Sequence, residues 1–332
     1  MESDNSALVG NQKGESFTFV LNLIDVRGEL PVEVAPGHFF EKADSEQIAM
    51  IKNLLTLFRP YGPSALLFPP PYETDIIEVP GKTIASFSYR REPLPEDRWR
   101  YWIISFAGSN LELENVASAA SLLEHDLELG FTVFGKSFLG TAAEGYGWHA
   151  PSLFSFFDSP ESYRPATLMN ADELGEISKN YHLVKNICPE HKHINQALSK
   201  LRDLKSLPRN SELLTIALFS IIESLVTHSP KLTESADSLS HQIRTKMPLL
   251  RKRFDRDLNY REHFGAAAEE TIWSKLYEYR SRIVHGEEVN WSGSLQLLKE
   301  SKAVLRFLRE TVKLVLLLAL REAIFITDLK KC

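Results

Sequence analysis

Hydrophobic and polar positions change their period partway along the chain. Up to about residue 165 the apolar residues fall in short runs rich in aromatic and β-branched side chains, the pattern of strands. Such runs occupy Phe17 to Val26 and Leu30 to Val34, with Arg27-Gly28-Glu29 between them reading as a hairpin turn. Others occupy Asp75 to Val79, Ile84 to Tyr89 and Arg100 to Phe106. Helical spacing appears at Ser45 to Arg59, where Ile48, Ile51, Leu55 and Phe58 share a face, and at Leu111 to Leu129. Phe68-Pro69-Pro70-Pro71-Tyr72 reads as a stiff loop, because proline supplies no backbone donor and fixes φ. The glycines and prolines from Gly140 to Pro165 place a domain boundary near residue 165.

From Asn170 the period becomes helical and stays so. Helices are expected over Asp172 to Asn186, Pro189 to Lys205, Asn210 or Ser211 to His228, Ser235 or Asp237 to about Arg256, Ala266 to His285, and Ser294 to Ile326. Gly286 is placed to end the fifth of these. The expected architecture is an α+β domain over residues 1–165, with a sensing or regulatory role, followed by an all-α helical bundle over residues 166–332.

Composition leaves this picture standing. The chain of 332 residues is 43% hydrophobic and 25% charged, an ordinary globular balance. Its two cysteines, Cys188 and Cys332, cannot build a disulfide framework and point to a reducing, cytoplasmic compartment. The acidic, polar start carries no secretory pattern, and the apolar run Leu314 to Leu320 falls far short of the ~20 residues a bilayer needs, so no membrane is expected among its partners. Charge is unevenly divided: 12 basic against 23 acidic residues up to 165, then 26 against 21. A polyanion would therefore meet the second half, where Arg251, Lys252, Arg253 and Arg256 are the candidate contacts; a solvated helix face is the alternative.

Two motifs invite chemistry and fail to support it. Gly130-Phe131-Thr132-Val133-Phe134-Gly135-Lys136-Ser137 spells a phosphate-binding loop, yet its bulky interior favours an extended chain and no helix start follows, so it reads as a strand ending in a turn. His182, Cys188, His191 and His193 lie close in sequence without the paired spacings of a zinc site, and read as a polar interhelix loop.

Trp273 to Gly286 is more informative. At 100° per residue, Ile272, Leu276, Tyr279 and Ile283 form one apolar stripe, and Trp273, Tyr277, Arg280 and Val284 form the stripe beside it. Arg280 thus sits in an apolar arc, where a charge is costly unless paired, while Arg282 falls on the solvated side. His285 follows five residues later at the helix end. The plainer account is a structural arginine bonded to a buried carboxylate such as Glu223, with an exposed histidine at the end.

Leu276-Tyr277-Glu278-Tyr279-Arg280-Ser281-Arg282-Ile283-Val284-His285-Gly286 resembles the signature helix of the HEPN superfamily, especially its Apea-like branch. Ala217 to Leu225, an apolar run broken by Glu223, is similar to that family's earlier helix, and Ser238 to Leu250 to the helix between; the resemblance covers roughly residues 190–325. It implies a helical bundle that dimerises so that two Arg-x4-His motifs face one cleft. It also implies a metal-independent endoribonuclease without cofactor, often in phage defence or toxin–antitoxin systems, with an antitoxin or phage-derived trigger as further partner. On that resemblance His285 is the general acid/base, Arg280 stabilises the phosphorane, and Ser281 or Glu223 orients them; the products carry a 2′,3′-cyclic phosphate and a 5′-hydroxyl. Active members often carry Asn, Asp or His where this chain has Ser281, and other members only bind nucleotides or partners.

Overall fold

The computed structural model describes residues 16–57, 71–80, 87–107, 112–125, 127–135, 145–148, 166–208, 211–229 and 238–332. These divide into two compact units, one drawn from Met1–Leu113, Glu128–Leu153 and Pro160–Gly175, the other from Glu114–Leu127 and Glu176–Cys332. Both units are discontinuous in sequence, whereas the sequence reading placed a single boundary near residue 165.

The first unit is built on ten strands: β1 (Ser16–Val20), β2 (Ile24–Arg27), β3 (Val32–Ala35), β4 (His38–Lys42), β5 (Thr74–Pro80), β6 (Phe87–Pro93), β7 (Trp102–Phe106), β8 (Leu129–Phe134), β9 (Gly145–Trp148) and β10 (Thr167–Asn170), with helix α1 (Ser45–Leu57) after β4. Six of them form an antiparallel sheet in the order β3-β4-β7-β1-β8-β9. Its central strands β1 and β7 are buried along their whole length, which their unbroken aromatic and β-branched runs require. Gly130 to Phe134 lies on β8, against β1, so this part of the phosphate-loop match is sheet interior; Lys136 and Ser137 lie outside the described residues.

Two strand expectations are corrected. Arg27-Gly28-Glu29 is not a hairpin turn: β2 pairs in parallel with β10, and β3 pairs with β4. Gly28, at φ +115°, ends β2, and a Cβ there would stand 2.8 Å from the Ala171 side chain. The second half is also not all helix, since β10 falls within it. Buried Arg100 fixes the neighbourhood of β2 and β5, donating to Asp25 at 2.8 and 3.1 Å, to Asp75 at 3.1 Å and to the Thr74 carbonyl at 3.0 Å. Asn210, Ser235 and Asp237, the Phe68 to Pro70 loop, Ile84 to Ser86 and the Gly140 to Pro165 boundary stretch lie outside the described residues, apart from Gly145–Trp148 of β9.

The helices are α2 (Leu113–Ser121), α3 (Ala171–Lys185), α4 (Lys192–Asp203), α5 (Glu212–Val226), α6 (Leu239–Arg251), α7 (Tyr260–Phe264), α8 (Glu269–His285), α9 (Ser301–Arg321) and α10 (Ala323–Lys331). Beyond its first residue α2 belongs to the second unit, where Arg202 reaches Glu114 at 3.1 Å. The core of that unit forms around α5 and α9, with Phe219, Trp273 and Phe307 fully buried. Trp273 satisfies its indole N–H on the Tyr260 hydroxyl at 2.8 Å, and its ring lies 5.7 Å from Phe307 and 6.5 Å from Phe219. Lys313 is buried on α9 and donates to the carbonyls of Leu123 and Glu124 at 2.8 and 3.1 Å, fastening the turn after α2.

Several helix limits are shorter than the periodicity predicts. α2 stops at Ser121, α6 at Arg251, and the terminal run opens only at Ser301, after Lys299 at φ 63°, and breaks at Glu322. Apolar residues continue through these places, so the hydrophobic period alone overruns the ends. Ser211 does cap α5, accepting from the Leu213 N–H at 3.2 Å, whereas α6 is capped by Ser238, which was not among its expected caps and accepts from the His241 N–H at 3.2 Å. Among the described residues no helix is long and apolar enough to cross a membrane.

Candidate functional site

Helices α5 and α8 supply the candidate catalytic residues, and the end of α6 with the turn after it supplies the basic cluster. α8 buries Ile272, Trp273, Leu276 and Tyr279, so the first predicted stripe faces the core. The second stripe starts buried at Trp273 and emerges at Val284, which is exposed. Arg280 lies between, half-buried, at the height where α8 crosses α5.

There it meets Glu223. Arg280 Nη2 donates to Glu223 Oε2 at 3.3 Å, with side-chain exposures of 23% and 14%. The guanidinium also lies over the Tyr277 ring, 5.3 Å from its centre. The pair is incompletely satisfied: Arg280 Nε and Glu223 Oε1 are both buried with no hydrogen-bond partner. Burial pushes the Glu223 carboxyl pKa up, the Arg280 guanidinium and Tyr277 hydroxyl pull it back, and burial wins. The same burial, with the Glu223 charge beside it, raises the Tyr277 phenol.

His285 is exposed in the last turn of α8, which Gly286 ends in the left-handed conformation at φ 67°. Ser281 is half-buried on the same helix. The fold therefore brings Arg280 and Glu223 together and leaves His285 at the surface, one helical turn beyond Ser281.

The loop after His285 is fastened to α8 by residues to which the sequence reading gave no such role. Glu278 Oε1 accepts from Ser294 Oγ at 2.6 Å and from Arg282 Nη2 at 3.1 Å, and Arg282 also donates to the Glu288 carbonyl at 3.2 Å. Lys275 pairs with the other oxygen of Glu278 at 2.9 Å, and these donors hold its carboxyl down to about 2. The Tyr279 and Trp291 rings pack across the same junction, their centres 4.9 Å apart and their planes tilted by 54°. Arg282 is thus a loop fastener and not a free solvated charge. The Glu278–Arg282 spacing of four residues was the available signal.

The basic cluster is dispersed among carboxylates. Arg251 is held by Asp257 at 2.7 Å and by Glu269, Arg253 by Glu322 at 2.6 Å, and Arg256 by Glu124 at 3.0 Å. Lys252 is exposed. A polyanion approaching this face must compete with those carboxylates for each guanidinium.

His182 lies on α3 and Cys188 and His191 between α3 and α4, with Cys188 exposed and His191 Nδ1 at 3.2 Å from the Thr327 hydroxyl. Among the described residues no three His, Cys, Asp or Glu side chains are grouped to hold a metal ion. No family model, no curated protein and no solved structure matches the chain, so the reading of the site rests on its residues and their geometry.

Proposed function

We propose that the second unit is half of a metal-independent, HEPN-type endoribonuclease, completed when two copies of the chain bring their Arg280–His285 segments to one cleft. The observation that carries the reading is Arg280 held half-buried by Glu223 on the helix whose last turn exposes His285. A histidine with access to solvent can take a proton from a ribose 2′-OH, and the partner's His285 can give one to the leaving 5′-oxygen. The 2′-oxygen then bonds to phosphorus as the P–O5′ bond breaks, leaving a 2′,3′-cyclic phosphate and a 5′-hydroxyl. Arg280 would stabilise the charge that gathers on the phosphorane, with Glu223 and Ser281 orienting it. Arg251, Lys252, Arg253 and Arg256 would follow the RNA backbone once it displaces their carboxylates. Phage defence or a toxin-like role, with an antitoxin or phage-derived trigger in a cytoplasmic setting, belongs to the same proposal.

The test is incubation of the purified chain with RNA in EDTA, followed by analysis of the new ends. Cyclic-phosphate and 5′-hydroxyl termini support the reading, and intact RNA of every kind offered rejects it. The in-chain neutralisation of Arg280 favours a second reading, a dimerising module that binds a nucleotide or partner without cleaving. That reading expects His285→Ala to leave function intact and Arg280→Ala to weaken folding or assembly.

A further inference from the structure

The first unit contains a cluster that the candidate nuclease site does not use. Trp99 and Tyr101 meet edge to face, their ring centres 6.1 Å apart and their planes at 76°. Glu73 closes the corner, its Oε1 accepting from the Tyr101 hydroxyl at 2.9 Å. Lys52 of α1 fills it: its Nζ stands 4.4 Å from the Trp99 ring centre and 5.9 Å from that of Tyr101, and pairs with Glu73. Two aromatic faces and a carboxylate around one ammonium make a cation cage.

The walls and their occupant are held very differently. Tyr101 is fully buried and packs on Tyr72 at 5.4 Å and on Phe19 at 6.3 Å. Trp99 donates its indole N–H to the Leu94 carbonyl at 3.0 Å, and the Glu73 carbonyl accepts from the Leu94 N–H at 2.8 Å. None of these bonds involves Lys52. The Lys52 side chain is 38% exposed against 16% for Glu73, and reaches the corner on a flexible four-carbon stem. If the lysine swings out, the walls stay in place around a largely buried carboxylate that has lost its cation, which is costly until another cation arrives.

We propose that Trp99, Tyr101 and Glu73 form a binding site for a methylated or quaternary ammonium group, with Lys52 as an internal plug that the ligand displaces. A quaternary ammonium offers more apolar surface to the rings than a primary ammonium and gives up less hydration on entering. The tethered lysine competes at a high effective concentration and so masks the site's intrinsic affinity. A cation-responsive corner also gives the first unit a ligand of defined chemistry.

Choline and its neutral isostere 3,3-dimethylbutanol, titrated calorimetrically into the full chain, test the proposal. Lys52→Ala should bind choline about tenfold or more tighter than wild type, with no such gain for the neutral compound. Adding Trp99→Ala or Glu73→Gln to that variant should remove the gain, and Lys52→Arg, which keeps the plug, should stay at the wild-type level. Lys52→Met, which keeps the stem against Trp99, replaces Lys52→Ala if thermal melting shows the alanine variant unfolded. Equal choline affinity in wild type and the folded unplugged variant, or equal gain for the neutral isostere, overturns it.

Discussion

Arg280 and Glu223 carry the account's main tension, because each needs the other and neither is fully satisfied. A half-buried pair with one long hydrogen bond and two unpartnered atoms is a weak stabiliser, but breaking it leaves a lone charge in the same place. Arg280→Ala should therefore cost about 1–3 kcal/mol, and the double variant Arg280→Ala/Glu223→Ala less than the sum of the single ones. Urea denaturation of the cycle measures this, and strict additivity would mean that the pair does not couple. Glu278 makes a prediction with the opposite pH sense to that of raised Glu223. Its folded carboxyl is held at about 2 against an ordinary 4.5, so its contribution is present above 4.5 and lost as pH falls toward 2. The stability difference between wild type and Glu278→Gln should be larger at about pH 7 than at about pH 2.5. An unchanged difference would remove Glu278 as the anchor of the loop after His285. The helical period alone placed Arg280 on an apolar arc, where a charge demands a partner; Glu223 stood only as an example of such a carboxylate, and the fold pairs the two. The pairings of Arg251, Arg253 and Arg256 could not be foreseen, since Asp257, Glu322 and Glu124 come from loops and helix ends that no period locates.

Among the elements, α5 and α8 were readable because they are long, strongly periodic and marked at their ends by Ser211 and Gly286. Only some strands were recognisable: β1 and β2 read as one run, β4 and β9 did not stand out, and no pairing could be assigned. β2 has the composition of a hairpin arm and pairs instead with β10, far along the chain, a choice made by long-range packing. β10 itself is only four residues, too short to stand out at the mouth of a helix. The aromatic seam joining α5, α8 and α9 gives the element-level prediction. Phe219 is fully buried against Trp273 and Tyr277, so Phe219→Ala should destabilise the second unit by about 3–5 kcal/mol. A thermal shift no larger than that of an exposed control such as Leu213→Ala would show that the seam does not carry the bundle.

In the molecule as a whole, a strand-rich unit and a helical unit each own a core, and each takes segments from both sides of the other in sequence. That interleaving is invisible to a reading that proceeds from one end, because α2 looks like part of the first half until Lys313 and Arg202 are seen to hold its segment in the second unit. The functional account rests on an exposed imidazole whose removal should leave the fold untouched. His285→Ala is thus the cleanest probe, since Arg280 substitutions mix chemistry with stability. The decisive measurement is the single-turnover rate of RNA cleavage in EDTA by wild type and His285→Ala at matched protein concentration, with melting temperature and sedimentation recorded for both. The account predicts cleavage by wild type, a loss of about 100-fold or more in the variant, and the same melting temperature and dimer in each. Equal rates in the two proteins, or no cleavage by either, would contradict it.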